Sequence, residues 1–206
     1  MSDQYILGST DAAKGAASVM GGYIVTGGTS RRMGRDKARL PWRGVTLVEW
    51  IAVQVHDAVG NATLVGAPER YGNLGIPAIG ETYPGCGPLS GIEAALRHSP
   101  FDLNLVVACD MPLLESQALR DLTAAALNAR ADVCAAVNAA GDLEPLCAVY
   151  DRRIRPEILR ALEEGRLKAR DLLEQLTVNT WRASDPRMVI NANCPSDWDT
   201  LLRGGE

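Results

Sequence analysis

At 206 residues, 47% hydrophobic and 22% charged, the chain has the length and composition of one soluble domain with a sizeable core. A net charge of −4 excludes the broad cationic face that coats nucleic-acid phosphates, while leaving room for local basic patches. No apolar run approaches the ~20 residues needed to span a bilayer. The five scattered cysteines form no C-x-x-C pair and, with two histidines, argue against a structural zinc site, so most of them read as small core residues in a reducing cytoplasm.

Residues 1–20 lack the basic start and continuous apolar core of a secretory signal, and their Ser, Asp, Ala and Gly content reads as a poorly ordered leader ahead of one domain over 21–206. The chain then enters YIVTGGTSRRMGRDK at 23–37. Tyr23, Ile24 and Val25 predict a buried strand, and Thr26 leads into Gly27 and Gly28, whose missing side chains let backbone approach a ligand. Arg31, Arg32 and Lys37 follow at a spacing suited to a polyphosphate. A dinucleotide turn needs G-x-G-x-x-G, which Gly27, Gly28 and Gly34 do not supply. A Walker loop needs Gly-Lys-Ser/Thr, whereas Lys37 lies between Asp36 and Ala38. The stretch points to a nucleoside triphosphate held by another kind of loop.

Residues 46–60 carry Leu47, Val48, Ile51 and Val55 on one helical face, with Gly60 as the stop. The ATLVGA run within 61–67 has the β-branched and aliphatic content of an interior parallel strand, and a shorter apolar segment at 77–80 leads to Glu81. The Gly- and Pro-rich loop 82–88 opens into a helix marked by Leu89, Ile92 and Leu96. Its Gly87-Pro88 start leaves backbone N–H groups free for an anion or a base edge. LNLVVAC at 103–109 is the strongest strand signal, and it delivers Asp110, followed by Met111 and Pro112, to the carboxyl edge where open α/β sheets bind ligands. A carboxylate there suits a divalent cation beside phosphates. A helix at about 116–128 follows.

Segments 131–137 and 145–150, separated by NAAGDLE, predict a hairpin or two neighbouring strands. Residues 152–165 and 168–176 read as helices, 188–193 as a short strand, and 195–203 as a terminal helix with Pro195 in its first turn. In an extended segment Asn191 and Asn193 share one side, where two amides can both donate to and accept from a polar ligand. The β-α alternation predicts a mostly parallel central sheet with helices on both faces, a three-layer α/β/α domain.

Five pieces in order, TGGTSRRMGRDK, GPLSGI, VVACDMP, PLCAVY and INANCPSDW, resemble the molybdenum cofactor guanylyltransferase family from about Tyr23 to the C terminus. The resemblance implies a Rossmann-like nucleotidyltransferase fold. It also implies transfer of GMP from Mg-GTP to the terminal phosphate of molybdenum-molybdopterin, with pyrophosphate leaving. By the same likeness Val25, Thr26, Gly27, Gly28, Arg32, Met33, Gly34 and Lys37 bind the nucleotide, Gly87, Pro88, Leu89 and Gly91 read its base, Asp110 holds Mg2+, and Pro145, Asn191 and Asn193 meet the pterin. Arg32, Lys37 and Mg2+ then offset repulsion between two anionic substrates, and a dedicated general base is unnecessary. Glu81 stands where the family commonly has Asp, at a base- or metal-contact position, and Thr26 stands where an alanine or leucine-type residue is usual. A CTP-using relative and a nucleotide-binding module without turnover are the alternative readings. Molybdopterin-synthesis proteins and molybdoenzyme chaperones are the implied transient partners.

Overall fold

The computed structural model describes residues 19–26 and 36–203, with side chains through residue 201. Strand β1 (Met20–Val25) is followed in the described chain by a 3-10 turn at Lys37–Arg39, the small hairpin β2 (Pro41–Trp42) and β3 (Val45–Thr46), and helix α1 (Leu47–Val59). Strand β4 (Thr63–Gly66), helix α2 (Pro68–Tyr71), strand β5 (Ala78–Gly80) and helix α3 (Pro88–His98) come next. Then follow β6 (Leu103–Ala108), α4 (Ser116–Asn128), β7 (Val133–Val137), β8 (Leu143–Asp151), α5 (Arg155–Glu163), α6 (Ala169–Leu173), β9 (Val178–Trp181) and α7 (Pro195–Arg203).

Among the described residues, seven strands join one sheet in the order β5-β4-β1-β6-β8-β7-β9. Strands β4, β5 and β6 continue the parallel run around β1, whereas β8 is antiparallel to both β6 and β7, and β9 returns parallel to β7. The strand period of two sorts side chains to two cores. Ile24, Leu64, Leu105, Val107, Cys134 and Cys147 pack under α1 and α4, while Tyr23, Val25, Val65, Val106, Ala135 and Ala148 pack under α3, α5 and α6. Both faces are therefore covered, and the expected three layers are present.

Local signals set the element ends. The Glu49 carboxylate accepts the Thr46 N–H at 2.9 Å, giving α1 a start, and Gly60 ends it in the left-handed region at φ 80°. Under that helix end β1 passes close to backbone, and a Cβ on Gly22 would lie 2.4 Å from the Asn61 carbonyl oxygen. The sheet can close here because Gly22 has no side chain.

The structure departs from the sequence reading in several places. The segment 188–193 is not a strand: Pro186 starts a 3-10 turn at Pro186–Val189, capped by the Asp185 carboxylate accepting from the Arg187 N–H, and the chain then runs extended outside the sheet. The hairpin β2-β3 and the edge strand β9 were not anticipated. The first strand begins at Met20, the last residue of the expected leader 1–20, while residues 1–18 lie outside the described residues.

Candidate active site

Four parallel strands end on one edge of the sheet, at Val25, Gly66, Gly80 and Ala108. The chain winds from β1 outward through β4 and β5, then crosses back to β6 on the other side of β1. The crevice between the ends of β1 and β6 is the switch point where such sheets bind ligands.

Thr26 closes β1 by donating both its N–H and its hydroxyl to the Val65 carbonyl, at 2.8 and 2.9 Å. Gly27, Gly28, Arg32, Met33 and Gly34 lie outside the described residues. The description resumes at Asp36, whose carboxylate caps the next turn by accepting the Ala38 N–H at 3.0 Å and also accepts the Tyr71 hydroxyl at 3.0 Å. Burial, reinforced by the Asp36 charge, pushes the Tyr71 phenol well above its ordinary pKa, so it stays protonated as a donor.

That pinned turn presents Lys37. Its Nζ donates to Asp110 Oδ2 at 3.2 Å and to Asn193 Oδ1 at 3.1 Å. The Lys37 and Asp110 side chains are 16% and 20% exposed, sheltered yet open to a ligand. Asp110 also receives the C-terminal segment through its carbonyl, which accepts the Ala192 N–H at 2.8 Å. Asp197, in the first turn of α7, accepts the N–H groups of Asn193 and Cys194 at 2.8 and 3.0 Å, fixing the approach of that segment.

Asn191 is held elsewhere. Its Nδ2 donates to Glu144 Oε2 at 3.3 Å, and the other oxygen of Glu144 accepts Asn138 Nδ2 at 2.7 Å. Pro145 follows Glu144 in β8, and its carbonyl accepts the Tyr150 hydroxyl at 2.7 Å. Asn191 and Asn193 thus belong to two neighbouring anchor points rather than one.

The start of α3 forms another wall. Gly87 precedes it at φ 71°, ψ −159°, Pro88 fills its first position, and the Ser90 N–H donates to the Gly87 carbonyl at 3.2 Å to close the first turn. Leu89 is buried, so its side chain belongs to the core and only its backbone is available to a ligand. A Cβ on Gly91 would meet both Val25 methyls at 2.8 and 2.9 Å, with Glu81 Oε1 at 3.5 Å. Gly91 therefore lets α3 close on the end of β1 and brings the Glu81 carboxylate beside it. Burial raises the pKa of Glu81 above the usual carboxylate range.

Among the described residues, no group of three or more His, Cys, Asp and Glu could enclose a metal ion. Asp110 is a single hard oxygen donor beside a phosphate-range cation. That donor set fits Mg2+, which takes one or two carboxylates and completes its shell with substrate phosphates and water. Sequence reading missed Asp36, Tyr71, Asn138, Glu144 and Asp197. Only Asp197, an acid in the first turn of a helix, carried a local signal.

A doubly wound sheet whose switch point carries a lysine, an aspartate and a glycine-started helix has the architecture of the nucleotide-binding α/β transferases. The family model described as MobA-like NTP transferase domain matches residues 22–180, and the chain belongs to that family of nucleotidyltransferases. A protein from Xanthomonas euvesicatoria named molybdenum cofactor guanylyltransferase is 31% identical over 189 residues, covering 88% of this chain and 93% of that relative. A Bacillus subtilis protein named probable molybdenum cofactor guanylyltransferase is 32% identical over 189 residues, covering 86% and 92%. The crystal structure of molybdopterin-guanine dinucleotide biosynthesis protein A from Archaeoglobus fulgidus superposes with a TM-score of 0.76 at 25% identity, covering 89% of this chain and 98% of that one.

Proposed function

We propose that this enzyme transfers GMP from Mg-GTP to the terminal phosphate of molybdenum-molybdopterin, forming the guanine dinucleotide cofactor and releasing pyrophosphate. The observation that carries the reading is the Lys37 bridge, which joins the nucleotide edge at Asp110 to the C-terminal segment at Asn193. A phosphate oxygen of the pterin attacks the α-phosphorus of GTP. A new P–O–P linkage forms as the α–β bond breaks, and the electron pair leaves with pyrophosphate. The nucleophile is already ionised, so catalysis consists of alignment and charge neutralisation.

In this reading Lys37, with Arg32 from the first loop, contacts the phosphates, and Asp110 holds Mg2+. When bound, the ion supplies charge neutralisation at the phosphates. Backbone at Val25, Thr26, Gly27 and Gly28 approaches the nucleotide, Met33 and Gly34 complete the first loop, and Glu81 with 87–91 reads the base. Pro145, Asn191 and Asn193 receive the pterin. The five unpaired cysteines support a reducing compartment such as the cytoplasm, and no described helix is long and apolar enough to cross a membrane. The proteins that supply molybdopterin and receive the product are its proposed transient partners.

Pyrophosphate release from GTP and molybdenum-molybdopterin tests the reading. Asp110→Ala should abolish metal-dependent turnover with an unchanged circular dichroism spectrum; a near-normal rate would remove Asp110 from the metal site. Turnover with CTP in place of GTP would reassign the base, and nucleotide binding without pyrophosphate release would mark a module without turnover.

A further inference from the structure

Asn138, Glu144 and Asn191 form a hydrogen-bonded relay in which every atom's role is fixed by chemistry. The Asn138 carbonyl oxygen accepts the N–H groups of Ala140 and Asp142, at 2.9 and 3.0 Å, in the turn between β7 and β8. Its amide nitrogen is thereby directed at Glu144 Oε1. A carboxylate can only accept. Glu144 Oε2 therefore requires Asn191 to present its NH2 inward, leaving the Asn191 carbonyl oxygen as the group a ligand meets. Arg170, with Nη2 3.8 Å from Glu144 Oε1, balances the charge, and the Glu144 side chain is only 12% exposed.

Asn193 is fixed in the opposite sense. Lysine can only donate, so the Asn193 carbonyl faces Lys37 and its NH2 is the free end. Two residues apart, the chain thus offers an acceptor at Asn191 and a donor beside an ammonium at Asn193.

We infer that Glu144 is a positioning residue that polarises the second-substrate subsite. Asn191 accepts an N–H of a heterocycle such as a pterin, while Asn193 and Lys37 take the anionic phosphate end. This inference rests on the proposed reaction and assigns the direction in which the second substrate lies. An anion placed at the Asn191 end would face a carbonyl oxygen backed by a carboxylate.

The relay makes an inversion testable. In Glu144→Gln, Asn138 still donates to the Gln carbonyl, so the Gln NH2 points at Asn191 and forces its amide to turn, presenting a donor to a donor. The KM for molybdenum-molybdopterin should rise about tenfold or more, the scale of one hydrogen bond lost with its partner left unpaired. The kcat and the GTP dissociation constant should stay within about twofold. Adding Asn191→Asp should restore the KM, because the Gln NH2 then donates to one carboxylate oxygen and the other faces the ligand as an acceptor. An unchanged KM in E144Q, or a double variant no better than E144Q, would overturn the positioning role. A fall in melting temperature with equal loss of GTP and pterin affinity would show a merely structural contact and overturn it as well. If the unaltered protein binds nucleotide yet never consumes molybdopterin, the proposed reaction itself fails and this inference goes with it.

Discussion

At the scale of single residues, the site contains groups that the fold alone would not select. Glu81 is half-buried, and its only resolved perturbation is the burial that raises its pKa, with no compensating donor among the described residues. A folded-state pKa above the unfolded value means that folding takes up a proton in the window between them, so stability falls as pH rises through that window. At neutral pH the charged carboxylate therefore subtracts from stability, as expected of a group kept for a ligand. Glu81→Gln should melt at a higher temperature than the parent at pH 7, with the gap narrowing as pH falls through the window above the ordinary carboxylate pKa and closing below it, and it should bind GTP more weakly. A lower melting temperature at pH 7 would show that Glu81 has a stabilising partner. Gly91 makes the complementary case, since an added methyl would overlap Val25, which is only 4% exposed. Gly91→Ala should cost about 1–3 kcal/mol in urea unfolding, the range for overpacked cores, and should weaken GTP binding because β1 leads into the first loop. Unchanged stability would mean that α3 can retreat freely.

At the scale of elements, the long members were readable and the short ones were not. Helix 116–128 coincides with its expected span, and the apolar run at 103–109 marks β6 because buried parallel strands carry continuous aliphatic sequence. Strands β2 and β3 have two residues each, and β9, VNTW on the sheet edge, has no aliphatic run to announce it. Residues 188–193 misled for the opposite reason: MVINAN has strand composition, yet Asp185 and Pro186 draw its first two residues into a 3-10 turn and the rest runs on without pairing to the sheet. At the sheet edge, Gly87, Gly91, Lys37, Asp110 and the two asparagines were legible as residue types at element ends, whereas Gly27, Gly28 and Gly34 lie outside the described residues. Glu144 and Tyr71 were not, because their meaning lies in partners 47 and 35 residues away. The extended segment gains its place from α7, whose Trp198 ring lies 5.3 Å from that of Trp42 in the β2-β3 hairpin. Trp198 is 7% exposed, so Trp198→Ala should cost about 3–5 kcal/mol. With α7 loosened, Asn191 and Asn193 lose their register, and the KM for the pterin should rise more than that for GTP. Equal changes in both would tie α7 to the whole site.

At the scale of the molecule, the site exists only when the sheet is assembled. Lys37 meets Asp110 across 73 residues of sequence and Asn193 across 156, so an unfolded chain offers no comparable array of contacts to a triphosphate. A ligand that binds only the folded state stabilises it by mass action, by about 2.7 kcal/mol at a hundred times its dissociation constant. For a chain of this size each kcal/mol moves the melting temperature by about 2–4 °C, so GTP with Mg2+ at that concentration should raise it by roughly 5–10 °C. CTP, ATP and UTP at the same concentration should give smaller shifts if Glu81 and residues 87–91 read the guanine edge, because a mismatched base leaves sheltered polar groups unpaired. In Asp110→Ala the increment due to Mg2+ should vanish, while part of the shift from GTP alone survives through Lys37. Equal shifts from all four nucleotides would assign binding to the phosphates alone and remove Glu81 from base recognition. A larger shift with CTP would make cytosine the base this sheet edge selects.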